Sequence, residues 1–299
     1  MSKTNIVFSA SSFNLWEWCE CKYHYAHIMR KTLPPQQKAL PLDRGTLGHI
    51  GMESYFNQLA EGIHYNDRMH NAIMKIKAHA ADPNQSNLDT TEELPILVNS
   101  FEQSCDFWRF EDEHLEILAV ETPFDYVLFE DEWIRIIMSG KVDLLVNKPA
   151  IGGGASYTKL PYDHKFVARD FPVDRTDNQF VNYAHVLESN YLIVNKVGQQ
   201  KTLKPEDKFK RIPLSFDKEF VQQWKDNVIR VVLDEYLPAR LRHHYPMRFF
   251  NCRKFGRLCE FHAVCNSSGE DAKRFKLESQ YVDREKWDKY AEEGEEGDV

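Results

Sequence analysis

The 299-residue chain has no apolar run that approaches the ~20 residues of a membrane span. No membrane partner is therefore expected. Its opening, MSKTNIVFSASS, lacks the apolar core of a signal peptide, and a cytosolic protein is expected. There is no Gly-X-X-X-X-Gly-Lys-Ser/Thr phosphate loop, so the chain carries no nucleotide-driven motor of that type. It has no internal repeat. The signature of wholesale disorder is missing too. Hydrophobic residues make up 42%, with 19 Phe, 13 Tyr and 6 Trp, enough for a sizeable core. An excess of positive charge is also lacking. Net charge is -8, which argues against a protein that only coats nucleic acid.

Charge is nevertheless uneven. The tail AEEGEEGDV (291–299) has five acids and no base, and is expected to stay solvated. Between Arg240 and Arg257 the pattern reverses, with six bases and no acid: Arg240, Arg242, Arg248, Arg253, Lys254 and Arg257. Tyr245, Phe249, Phe250 and Phe255 are interleaved with them. That composition suits phosphate contact and base stacking, and it equally suits a solvated basic loop.

Hydrophobic periodicity predicts helices over 9–29, 45–62, 67–82 and 91–112, with a proline-bearing loop at 31–44. From about residue 116 the runs EILAVETPFDYVLF, WIRIIMSG and KVDLLVN read as strands. A Gly/Ser loop (151–159) leads into the strand LPYDHKFVA. A helix over 176–190 follows, with Thr176 or Asp177 as its N-cap. Strands at 191–197 and 211–216 and a long helix over 217–237 complete the pattern. The expected class is mixed α/β (α+β), in four stretches. These are an N-terminal helical portion (1–115), a core of sheet and helices (116–237), a basic aromatic segment with cysteines (238–282) and an acidic tail (283–299).

Four short elements then fall in order. His49 lies on a helix and Asp143 ends GKVD. Asp163 and Lys165 share one strand face in YDHKF, being two residues apart. Gln179 and Tyr183, four apart, share a helix face. Each is ordinary alone; an Asp-X-Lys on a strand is more often a solvated ion pair. Together they supply the parts that phosphodiester hydrolysis needs. Carboxylates can hold a divalent cation that neutralises the phosphate and acidifies a water. Hard oxygen ligands suit Mg²⁺, and an imidazole shifts preference toward Mn²⁺. A lysine beside the cation can orient the water or stabilise developing charge.

The ordered set GTLGH (45–49), GKVD (140–143), DHK (163–165) and QFVNY (179–183) resembles the PD-(D/E)XK nuclease superfamily, in its RecB-like branch. Ser9, Ser11, Cys19, Lys22 and Tyr23 in the opening segment resemble that branch as well. The resemblance implies a restriction-endonuclease-like core, a mixed β-sheet flanked by helices. It implies that His49, Asp143, Asp163 and the backbone carbonyl of His164 bind catalytic Mg²⁺ or Mn²⁺. It implies that Lys165 acts on the attacking water, and that Gln179 and Tyr183 line the site and help position DNA. Glu121, on a strand where the family often has a glutamate, ranks below these. The sequence departs from the family name in lacking the proline before Asp143.

Cys252, Cys259 and Cys265 fall within fourteen residues, half of the chain's six cysteines. In a cytosolic setting such a group favours metal over disulfides. With Cys19 they resemble the one-plus-three cysteine plan of iron–sulfur members of the branch, which implies a [4Fe–4S] cluster. Cys21 is an alternative to Cys19. Zinc is an alternative to iron, with His262 available as a ligand. Cys105 reads as a core thiol. The implied DNA contacts are Arg248, Arg253, Lys254 and Arg257.

The resulting expectation is a metal-dependent DNA nuclease acting on ends or single strands, an exonuclease of recombination, repair or phage DNA processing. A separate helicase or annealing protein would be its partner, and a bacterial or phage source is implied. The alternative is a non-catalytic DNA-binding or scaffold subunit. An iron–sulfur redox protein would leave Asp143, Asp163, Lys165 and Gln179 without a role.

Overall fold

The computed structural model describes residues 3–34, 40–83, 85–149, 157–254 and 257–284. The acidic tail, most of the Gly/Ser loop and Phe255 lie outside the described residues, as does the side chain of Lys254.

In chain order the elements are β1 (Thr4–Ser9), α1 (Ala10–Trp18), α2 (Glu20–Tyr23), β2 (Lys31–Thr32), α3 (Leu40–Ala60), α4 (Tyr65–Ala81) and α5 (Glu93–Asp112). The strands β3 (Glu116–Glu130), β4 (Ile134–Pro149) and β5 (Tyr157–Val167) follow. Next come α6 (Asn178–Val186), β6 (Tyr191–Gly198), α7 (Pro205–Lys208), β7 (Phe209–Ser215), α8 (Lys218–Val231) and α9 (Leu237–Arg242). Among the described residues, no helix is long and apolar enough to cross a membrane.

Six strands form one mixed sheet in the order β1-β4-β5-β6-β7, with β3 also paired to β4. β1 runs parallel to the first half of β4, and β5 antiparallel to its second half. β6 is parallel to β5 and reached through α6, a crossover that parallel pairing requires. β7 closes antiparallel on β6. This is the expected mixed α/β class with a helix-flanked sheet.

The described residues divide into two compact units, each assembled from separate segments: 3–34, 125–140 and 222–284 in one, 40–124 and 141–221 in the other. In the first, Ser9 caps α1 through a reciprocal pair of bonds. Ser12 N donates to Ser9 Oγ (3.1 Å) and Ser9 N to Ser12 Oγ (2.8 Å). Phe8, Phe13 and Trp16 are fully buried there; Phe13 meets Phe8 edge-on, Phe8 meets Tyr236 edge-on, and Trp16 meets both Tyr23 and Tyr236 edge-on. The single helix expected over 9–29 is interrupted. Cys19 is extended (φ -166°, ψ 112°), so α1 stops and α2 starts anew.

In the second unit α3 packs over β5 and α5 over β6, with α4 against both helices. Leu47, Tyr55, Phe56, Ile76, Leu97 and Phe101 are buried there with Leu144 and Tyr162. The loop expected to extend to residue 44 instead gives way to helix at Leu40. Pro41 falls in the first turn, where its missing N–H would have had no helical partner anyway.

Gly48 of the GTLGH segment has a steric reason. A Cβ there would stand 2.5 Å from Cε2 of Phe166, a buried ring on β5. α3 and β5 therefore approach at a distance only glycine permits, one residue from His49. Gly48→Ala should push the two apart, costing about 1–3 kcal/mol as overpacking does. Thermal unfolding of the variant would show it; an unchanged midpoint would mean that the ring yields freely.

Candidate active site

The register of β4 and β5 sets the site. Their last pair is Leu144 with Tyr162. Asp143 and Asp163 each lie one residue beyond it, on facing strands, where the ladder ends. Both are buried, at 5% and 0% exposure. Asp143 Oδ2 accepts a hydrogen bond from His164 N at 2.7 Å. In an extended strand a residue's N–H and C=O lie on one edge, so the His164 carbonyl faces the same side. Its imidazole does not. It stacks on Phe56 (5.5 Å, 10°), with Nδ1 3.0 Å from Asn195 Nδ2. Burial holds that ring well below the usual imidazole range, hence neutral.

His49, on α3, has Nδ1 3.5 Å from Asp143 Oδ2 and 3.5 Å from Glu121 Oε1. Donor atoms of His49, Glu121 and Asp143 all lie within 4.8 Å of one another, a group able to hold a metal ion. Burial alone would lower the His49 pKa. Asp143, Glu121 and Asp163 outweigh it and raise it to about 9. The site is therefore one that attracts positive charge.

Glu121 is the residue whose importance sequence reasoning underrated. It adopts φ 46°, the left-handed region. For a non-glycine residue this costs roughly 1–2 kcal/mol. The kink in β3 places its carboxylate beside His49, and 3.7 Å from Lys141 Nζ. Only the glutamate in AVETPF was visible beforehand; its backbone conformation has no sequence signal.

Asp163 and Lys165 form the other half. Lys165 Nζ donates to Asp163 Oδ1 at 3.0 Å and lies 2.8 Å from Oδ2. Burial pushes the Asp163 carboxyl up to about 6, against the pull of Lys165. For Lys165, burial works downward, but Asp163 and Asp143 raise its pKa and keep it charged. Asp163 Oδ2 is buried, and its ion-pair partner is Lys165 Nζ. A buried carboxylate beside the His49–Glu121–Asp143 group adds oxygen ligands of the kind that suit a divalent cation.

Lys165 is held from behind. Asp177 caps α6 by accepting from Gln179 N at 2.9 Å. Gln179 Oε1 accepts from Lys165 Nζ (2.9 Å), and its Nε2 donates to Tyr183 Oη (2.8 Å). Tyr183 Oη donates to Lys141 O (2.7 Å). Tyr183 is 3% exposed, so it faces the lysine's support rather than solvent.

The cysteines gather in the other unit. Cys21 Sγ lies 3.7 Å from Cys265 Sγ, a contact that lowers the Cys21 pKa and raises that of Cys265. Burial and then the neighbouring Cys19 and Cys265 raise Cys252. Cys259 N donates to Cys252 O at 2.8 Å. Cys19 and Cys21 are both buried. The extended Cys19 removes the helical spacing that would turn these two apart. Cys105 lies buried in the core of α5, in the unit that holds the carboxylates.

The expected DNA contacts differ in availability. Arg248 pairs with Glu20 at 3.0 Å and lies 3.9 Å from Glu235. Arg253 and Arg257 are exposed. No curated protein matches the chain. A family model described as the PD-(D/E)XK nuclease superfamily matches residues 7–266. With that match over most of its length, the chain belongs to the PD-(D/E)XK nuclease superfamily.

Proposed function

We propose that the protein is a deoxyribonuclease of the RecB-like branch that hydrolyses phosphodiester bonds with Mg²⁺ or Mn²⁺, as an exonuclease in DNA recombination, repair or phage DNA processing. Superfamily membership implies nuclease chemistry on DNA. The observation that carries the reading is the meeting of His49, Glu121 and Asp143 beside the paired Asp163 and Lys165. His49, Glu121, Asp143, Asp163 and the His164 carbonyl would hold the cation. The cation supplies charge neutralisation at the phosphate and acidifies water.

The chain's own groups do the rest. Lys165, kept protonated, presents N–H donors toward a water or a phosphate oxygen. Gln179 and Tyr183 fix its position, which leaves Tyr183 a role behind the lysine instead of on DNA. Tyr183→Phe removes two hydrogen bonds and leaves the Lys141 carbonyl without its partner, a loss of about 1–3 kcal/mol. Turnover should fall roughly tenfold with KM little changed. An unchanged kcat in a folded variant would remove the positioning role.

The reading as a whole is tested on end-labelled single- and double-stranded DNA with Mg²⁺ and Mn²⁺. Cleavage that begins at labelled ends supports the exonuclease; an inert wild type refutes the enzyme. Cys252, Cys259 and Cys265 with Cys19 or Cys21 would hold a [4Fe–4S] cluster, and their proximity supports this over scattered thiols. Four thiolates also suit zinc. A cytoplasmic setting and a separate helicase or annealing partner complete the proposal.

A further inference from the structure

Within the basic segment the aromatic residues have different fates. Tyr245 is stacked on His24 (4.3 Å, 15°) and is committed to the fold. Phe249 and Phe250 are not. They occupy the turn Phe249–Cys252 with 77% and 96% exposure. Two adjacent phenylalanines nearly free in water are uncommon for an interior-forming residue type.

The turn that displays them is firmly tied. Asn251 Nδ2 donates to Trp18 O, and Asn251 N to Arg248 O at 2.8 Å. Cys21 N donates to Pro246 O at 3.3 Å, and Arg248 pairs with Glu20. The backbone is thus fixed on α1 and α2 while the rings stay out. In the same segment of sequence Arg240, Arg242, Arg253 and Arg257 are exposed, and none forms a salt bridge among the described residues. The sequence from 240 to 259 has no acid to neutralise them.

From this arrangement we infer that Phe249 and Phe250 form a stacking platform for unpaired bases, so that this surface binds single-stranded DNA. The inference deepens the proposed function and rests on DNA being the substrate. Exposed rings in a segment that also exposes guanidinium groups complement a strand whose bases are exposed and whose backbone is anionic. A closed duplex offers the phosphates but hides the base faces in its own stack, so the rings discriminate where the arginines do not.

The test measures binding, not cleavage, with the full-length protein in EDTA. The probes are labelled oligo-dT, an abasic strand of equal length, and a hairpin duplex closed at both ends. Phe249→Ala/Phe250→Ala should weaken oligo-dT binding roughly 10- to 100-fold, as loss of one or two stacked bases does. Its affinity for the abasic strand and the closed duplex should match that of the wild type. Both side chains are exposed, so folding should be untouched; a thermal melt checks it. Equal oligo-dT affinity in variant and wild type would overturn the platform and leave the rings to a protein partner. So would an equal loss on the closed duplex. A wild type that binds oligo-dT through these rings but cuts nothing would refute the nuclease and leave the platform standing.

Discussion

Asp163→Asn should abolish DNA cleavage while leaving the protein folded. The amide matches the carboxylate in size but removes the charge from a buried group beside the His49–Glu121–Asp143 cluster. It also takes away the anion opposite Lys165. Transition-state stabilisation by such a metal centre is worth several kcal/mol, and each ~1.36 kcal/mol is tenfold in rate. The expected fall in kcat/KM is therefore about 10³ or more. Stability should fall by no more than about 3 kcal/mol, because Lys165 loses its anion but keeps Gln179 as a partner. End-labelled DNA in Mg²⁺ or Mn²⁺ gives the rate, and a thermal melt gives the control. Residual cleavage within tenfold of wild type would take the reaction away from this strand pair.

The second large effect is expected from Cys265→Ser. The small core of this segment is Cys19, Cys21, Tyr25, Ala26, Phe261, Val264, Leu277 and Tyr281. A core of that size gains much from a metal staple. Structural metal binding in small domains is worth on the order of 10 kcal/mol. Anaerobically purified wild type should show iron, sulfide and visible absorption. Cys265→Ser should lose all three, with early melting of this segment. Cys105→Ser, in the other unit, should keep them. Comparing Cys19→Ser with Cys21→Ser assigns the fourth ligand. Colourless wild type containing zinc would replace iron with zinc and retain the staple.

Much of the candidate site's arrangement was legible because its signals are local. Asp163 and Lys165 share a face by strand alternation, and Gln179 and Tyr183 by helical spacing. Chain order puts β4, β5 and α6 next to one another. What escaped depends on backbone detail. Glu121 reaches His49 through a left-handed φ in what reads as an ordinary strand. The extended Cys19 breaks a helix that periodicity carries straight through. Arg248, one basic residue among six, meets Glu235 and also Glu20, which lies more than two hundred residues away in sequence. The glycine at 48 was readable as a motif letter, but its reason is the Phe166 ring on a strand more than a hundred residues later.

The chain of contacts from Lys165 to the Lys141 carbonyl has a thermodynamic consequence. A free lysine side chain holds about 1.5–2 kcal/mol of rotamer entropy. A catalytic lysine that swings into place at each turnover loses that freedom on the way to the transition state. Here Gln179 and Asp163 hold the ammonium from two sides, and Tyr183 holds Gln179. The freedom is surrendered once, when the chain folds. The chemical step should consequently carry a smaller unfavourable activation entropy.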